Sequence, residues 1–148
     1  MIRIKETVDA PRGTLDFKIY RRGVLIEHVR DHNLVVNGGR NDLALLIAGD
    51  NDASPLKYIA FGSGIIPAEL TDTALVEPSC RIPFDRYVVD GNDVTFYWTL
   101  DKEHGNGINI AEFALIAEND RMITHYVRGR VIGKDRDIVI QGTYTLHF

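Results

Sequence analysis

The sequence contains one cysteine, Cys80, in 148 residues. A single thiol cannot close an intramolecular disulfide, so the fold has to be held without a covalent framework, and this cysteine usage fits assembly in a reducing cytoplasm. Cys80 precedes Arg81, which could lower its pKa, but a nucleophile also needs a positioned base; the expectation is a structural thiol. No apolar run approaches the roughly 20 residues of a membrane-spanning helix, and no membrane span is expected. The first residues, MIRIKETVDAPRG, lack the apolar stretch of a signal peptide, which predicts a soluble protein that is not exported by that route. A basic surplus is missing as well: 17 Lys and Arg stand against 21 Asp and Glu, a formal net charge of -4. Nucleic-acid binding needs a positive footprint, and the basic residues at Arg21-Arg22 and among Arg128, Arg130, Lys134 and Arg136 are interleaved with acidic ones, so no nucleic-acid partner is expected. There is no repeat of fixed period and no low-complexity tract.

Motifs that carry chemistry are also wanting. The histidines, His28, His32, His104, His125 and His147, never fall at a spacing that sets two on one face for zinc. The acidic loop 50–55 has no glycine at its sixth position and no distal glutamate for calcium. Ser63 is flanked directly by Gly62 and Gly64, whereas a nucleophile elbow has its glycines two residues away on either side; Ser54 and Ser79 stand in no such motif. Glu77, Asp85, Glu103 and Glu112 could be paired on paper as the two carboxylates of a glycosidase, but spacing along the chain does not set two of them across a cleft. No phosphate-binding glycine loop is present. The expectation is a protein that is not an enzyme and holds no metal and no cofactor.

The patterning that is present is largely of period two. Leu15, Phe17 and Ile19 alternate with Asp16, Lys18 and Tyr20, as in a half-buried strand. Arg21-Arg22-Gly23 turns the chain, and residues 24–29 return as the second strand of a hairpin, broken by Asp31-His32-Asn33 before Leu34-Val35-Val36. One helix follows, with Asn37 as its cap, Leu43, Leu46 and Ile47 as an apolar stripe, and Gly49 at its end. Further strands are expected over 82–89, where Pro83 marks an edge or a start, and over 94–100, with Val94, Phe96, Trp98 and Leu100 inward. Trp98, beside Tyr97, could serve as a sugar-stacking platform, but it shares its face with Phe96 and reads as core. Strands over 108–117, 122–131 and 137–147 complete the set, the last with Ile138, Ile140, Tyr144 and Leu146 on one face. Many short strands with tight turns and one helix predict a mainly β protein, an antiparallel sandwich or barrel-like domain over residues 14–148, preceded by an arm, residues 1–13, in which Ile2 and Ile4 suggest a short edge strand.

The chain is organised around residues 58–81, YIAFGSGIIPAELTDTALVEPSCR. Tyr58, Ile59, Ala60 and Phe61 read as a buried strand. Gly62 and Gly64 stop it by allowing backbone angles closed to other residues. Pro67 fixes a bend, Thr71 and Asp72 bond to their own backbone, and Leu75 returns to the core. The order FGSG, Pro67, TDTAL, Glu77 and Arg81, together with NLVVNGGR and LALLIAG near the helix, INIAEFALI, and the close DIVIQGTYTLHF, resembles a recurrent pattern in virion proteins of tailed bacteriophages. These are small β-rich proteins of tail fibres, baseplates and tail tips. The resemblance covers roughly residues 32–148, with Gly62, Gly64, Thr71, Asp72 and Leu75 matching best. Ile65-Ile66 departs from it, being apolar where polar residues belong.

The resemblance implies a structural component of a phage tail that acts through contacts with other virion tail proteins. It further implies a homo-oligomer, a trimer above all, assembled in the host bacterial cytoplasm and located in the virion. The residues expected at a protein interface are Gly62, Gly64, Ile65, Ile66, Pro67, Thr71 and Asp72. The alternative is a receptor- or carbohydrate-binding adhesin module of the tail, with the polar loop 101–107 as its binding surface.

Overall fold

The computed structural model describes residues 11–148; the strand expected at Ile2 and Ile4 lies outside them. The first hairpin is β1 (Arg12–Arg21) and β2 (Val24–Val35), joined by Arg22 and Gly23, both at positive φ. That turn geometry matches the right-handed twist of the flanking strands. Two expectations shift here. The first strand begins two residues before the alternation that starts at Thr14, because Arg12 and Gly13 pair with His147 and Leu146. The residues Asp31-His32-Asn33 do not break β2, because Leu15, Thr14 and Gly13 pair with them in register.

Helix α1 (Asn37–Ala48) follows at once. Asn37 is its first helical residue and not its cap. Val36 precedes the helix with no side-chain bond, and the amide of Asn37 donates instead to the carbonyl of Leu70 at 2.8 Å. A distant loop thus satisfies one of the amides in the first turn that have no partner within the helix. Gly49 ends the helix in the left-handed conformation, as expected. The apolar stripe is narrower than predicted: Leu43 is buried and Leu46 packs on the core, but Ile47 is exposed. The helix instead approaches the sheet through Gly39, where a Cβ would stand 2.2 Å from the carbonyl oxygen of Ile123. Buried Asp42 anchors it by accepting from Arg121 at 2.7 Å.

The remaining strands are β3 (Leu56–Gly62), β4 (Pro78–Pro83), β5 (Arg86–Asp90), β6 (Asp93–Leu100), β7 (Ile108–Ala117), β8 (Thr124–Lys134) and β9 (Ile138–His147). They form one antiparallel nine-stranded sheet in the order β4-β3-β7-β8-β2-β1-β9-β6-β5. The single strand expected over 82–89 is split. Phe84 donates its amide to Lys57 on the β3 side, while Asp85 donates to Tyr97 of β6. These two residues carry the chain from one end of the sheet to the other, and Phe84 stacks on Phe96 at 4.5 Å. The sheet therefore curls into a half-barrel whose two terminal strands are neighbours in sequence.

The concave face holds the main core. Phe17, Phe61, Trp98 and Phe113 meet there with ring centroids 5.0 to 6.4 Å apart, alongside Leu15, Ile140 and Tyr144. Val94, Phe96, Trp98 and Leu100 share this face as predicted, with Trp98 only 1% exposed. A second, smaller core lies on the opposite face of β3 and β7. Ala60, Ala114 and Ile116 are covered there by Val36, Leu75 and Met122. What covers them is the residue before α1, the connection from β7 to β8 and the long loop 63–77, so β7 is buried on both faces.

Candidate functional site

The loop 63–77 has no regular structure, and a loop that long inside a compact domain needs something to fix it. Glu112 fixes it. Its side chain is fully buried in the middle of β7. Oε2 accepts the amide protons of Gly64 and Glu77, each at 2.8 Å, and Oε1 accepts that of Val76 at 3.0 Å. Nε2 of His125, also fully buried, lies 2.9 Å from the same Oε1. On the other side of that ring, Nδ1 lies 2.7 Å from Oδ2 of Asp72, which also accepts the amide of Glu69 at 2.8 Å. One chain of bonds thus runs from both ends of the loop through a strand glutamate and a strand histidine to the middle of the loop.

Local sequence explains how Glu112 reaches this position. The pairing of β7 with β8 shifts register by three residues between Ile110 and Glu112: Ala111 alone on β7 stands against residues 128–131 on β8, so the surplus is on β8. A bulge of this kind changes which face the following side chains take. Ile108 and Ile110 look into the main core, and after the shift Phe113, Leu115 and Ala117 do so, while Glu112, Ala114 and Ile116 face the loop.

Burial pushes the Glu112 carboxyl up, but the amides of Glu77 and Val76, the His125 ring and the Gly64 amide outweigh it and hold it below its ordinary value. Burial likewise pushes Asp72 up, and the Glu69 amide together with the bond and charge of His125 bring it below the usual carboxylate range. With both carboxylates ionised, the two histidine contacts are hydrogen bonds only when each ring nitrogen carries a proton. The neutral ring donates once, and the second contact then needs a proton on a carboxyl group.

The glycines act here by size. Neither Gly62 nor Gly64 has a positive φ, contrary to the expectation that they supply unusual backbone angles. A Cβ on Gly64 would stand 2.5 Å from Oε2 of Glu112, and one on Gly62 would stand 2.5 Å from the carbonyl oxygen of Glu77. The backbone has to come this close for its amides to reach one carboxylate.

The residues expected at an interface separate into two groups. Gly62, Gly64 and Asp72 belong to the fastening beneath the loop. Ile65 and Ile66 are 70% and 60% exposed, and Pro67 and Thr71 are exposed with them. Asp72 thus does more than hold one turn; it is a partner of a buried histidine. The sequence pattern does not single out His125, and it offers Glu112 only as one of several carboxylates. The available signal is a lone charge inside the apolar run INIAEFALIA, since a buried charge demands partners.

The other candidate residues are dispersed. Ser63 donates to Glu77 at 2.6 Å and lies on the loop, while both ring nitrogens of His125 face carboxylates. Asp85 accepts from Thr99 on the β4–β5 link, and Glu103 faces Arg136. In the loop 101–107, Asn106 bonds to Lys102 and Lys134, and Asp101 to His104 and Glu103, so these polar groups bind one another. Burial pushes the Cys80 thiol above its ordinary value, against the pull of Lys134, which is opposite to an activating effect from Arg81. Among the described residues no group of three or more His, Cys, Asp or Glu is arranged to hold a metal ion. No family model, curated protein or solved structure matches the chain.

Proposed function

We propose that this protein is a structural component of a bacteriophage tail that acts through protein–protein contacts, and that loop 63–77 is one of its docking surfaces. The carrying observation is the pairing of a fixed loop with an apolar tip: five hydrogen bonds to Glu112 and Asp72 hold the loop, and Ile65 and Ile66 stand out from it into solvent. A flexible loop would hide such a pair or lose entropy on binding, whereas a fastened one presents it ready-made. Leu70 and Val76 extend the exposed apolar surface along the same segment. The resemblance of residues 58–81 to tail proteins supplies the setting, with other virion tail proteins as the partners. Glu112 and His125 are buried and bonded to each other and to the loop, an arrangement that suits a fastener.

The test is the double substitution Ile65→Ser with Ile66→Ser, which leaves every bond to Glu112 in place. The expected result is an unchanged melting temperature for the purified chain and loss of incorporation into tails in a complementation assay. Full incorporation would remove the loop from the interface and overturn the reading.

A further inference from the structure

We infer that β5 is a self-pairing edge, through which two copies of this chain join antiparallel about Val88 as a two-fold dimer. This inference does not depend on the assignment to a phage tail.

β5 is the end of the sheet. It pairs with β6 alone, and all five of its residues, Arg86–Asp90, are exposed. Its register with β6 sets Tyr87 opposite Phe96 and Val89 opposite Val94, so Tyr87 and Val89 lie on the face that forms the core everywhere else. Yet they are 69% and 62% exposed. The core face of the sheet is bare at this edge, and edges of this kind invite another strand. Arg86, Val88 and Asp90 lie on the other face, where the Arg86 guanidinium stacks over Tyr97 at 3.7 Å.

The short sequence RYVVD identifies the occupant as a second copy. When two such strands run antiparallel about Val88, Arg86 falls opposite Asp90 of the other copy at both ends, and Tyr87 falls opposite Val89. Opposite charges and an aromatic–β-branched pair are the favourable cross-strand combinations. The backbone agrees with this register. Asp90 and Asp93 flank the tight turn Gly91-Asn92 as a paired position, so the amides and carbonyls of Arg86, Val88 and Asp90 point at β6. Those of Tyr87 and Val89 are left pointing outward, and in the two-fold register they exchange bonds with Val89 and Tyr87 of the second copy. The bare strips of Tyr87 and Val89 then join into one. A strand pair of this kind is isologous and closes at two copies, so it is a contact distinct from the trimer contact implied by the tail resemblance.

The register makes a specific chemical demand. Val88 faces its own counterpart at a position without backbone bonds, where Cα atoms lie about 4.5 Å apart, within the span a disulfide bridges. Val88→Cys should therefore give a disulfide-linked dimer under mild oxidation. Tyr87→Cys and Val89→Cys, each of which faces a different residue, should not, and the parent chain with Cys80 alone provides the baseline. Val89→Pro removes an outward amide without touching the β6 ladder, so it should keep the parental melting temperature and sediment as a monomer where the parent forms dimers. The inference is overturned if the parent stays monomeric at hundreds of micromolar. It is equally overturned if Val88→Cys crosslinks no faster than the parent or than Tyr87→Cys, or if Val89→Pro associates as the parent does.

Discussion

The most demanding test of the fastening is Glu112→Gln, which changes one atom's chemistry and almost no volume. The carboxylate has two oxygens, and three backbone donors converge on them: the amides of Gly64 and Glu77 at Oε2 and the amide of Val76 at Oε1, where the ring of His125 also makes contact. A glutamine offers one oxygen and one NH2 group. If its oxygen takes the Oε2 place, the NH2 group confronts the Val76 amide; in the opposite orientation it confronts the amides of Gly64 and Glu77. Either way at least one buried backbone donor loses its acceptor, at about 1–3 kcal/mol, and the surviving bonds lose their charge assistance. Breaking a buried, bonded ionic group by removing one partner costs about 3–5 kcal/mol, which we take as the expected loss. For a chain of this size, at roughly 2–4 °C per kcal/mol, the melting temperature should fall by about 10 °C. The single tryptophan, Trp98, lies in the main core and gives a fluorescence signal for global unfolding. Amide exchange at Gly64, Val76 and Glu77 should accelerate more than exchange across β1 and β9. A fall of less than about 3 °C on that scale, with those three amides still protected, would refute the role assigned to Glu112.

The same carboxylates predict an acid dependence. Because Glu112 and Asp72 are held below their ordinary values, their contribution is complete above the unfolded-state carboxylate values near about 4 and is lost as pH falls through the lower folded values. The urea midpoint should therefore decline below about pH 4, and Glu112→Gln should show a shallower decline; an equal slope in the variant would contradict this. Trp98→Ala removes a side chain enclosed by Phe17, Phe61 and Phe113 and should cost about 3–5 kcal/mol by urea denaturation; an unchanged midpoint would refute its assignment to the core. Gly64→Ala places a methyl group 2.5 Å from Oε2 of Glu112 and 2.6 Å from Cβ of Val76, so it should destabilise by about 1–3 kcal/mol and expose the same three amides to exchange.

What could be read from the sequence was what period two encodes. The inward residues of β1, β6 and β9 fall where alternation places them, because one face of each meets the core and the other does not. The reading fails where a long-range contact decides. β2 continues through Asp31-His32-Asn33 because β1 pairs with those residues, although their types favour a turn. Asn37 does not cap α1 because the helix starts one residue earlier: the carbonyl of Val36 already accepts the amide of Arg40, and the amide of Asn37 is held by Leu70, far along the chain. The split between β4 and β5 depends on the curl of the sheet, which brings Tyr97 within reach of Asp85. The site was half legible for the same reason. The glycines and Asp72 stood out by type, but the residue they serve lies beyond the register shift between β7 and β8 at Ala111, and nothing in an alternating pattern announces that shift.

The choice of a charged fastener over an apolar one follows from what the loop has to do. Leu75 alone anchors the loop in the second core, and apolar contacts tolerate sliding because they have no direction. Three amides converging on one carboxylate do not tolerate it, since each bond specifies both a distance and an angle. The buried histidine then links that point to Asp72, so the two stems and the middle of the loop are positioned relative to one another. An apolar replacement of Glu112 and His125 together would remove the buried charge, and buried ionic groups often gain little over well-packed hydrophobic ones. It would leave the Gly64, Val76 and Glu77 amides without acceptors and the position of Ile65 and Ile66 unspecified. The polar cluster is thus better understood as fixing the shape of the displayed surface than as a source of stability for the sheet beneath it.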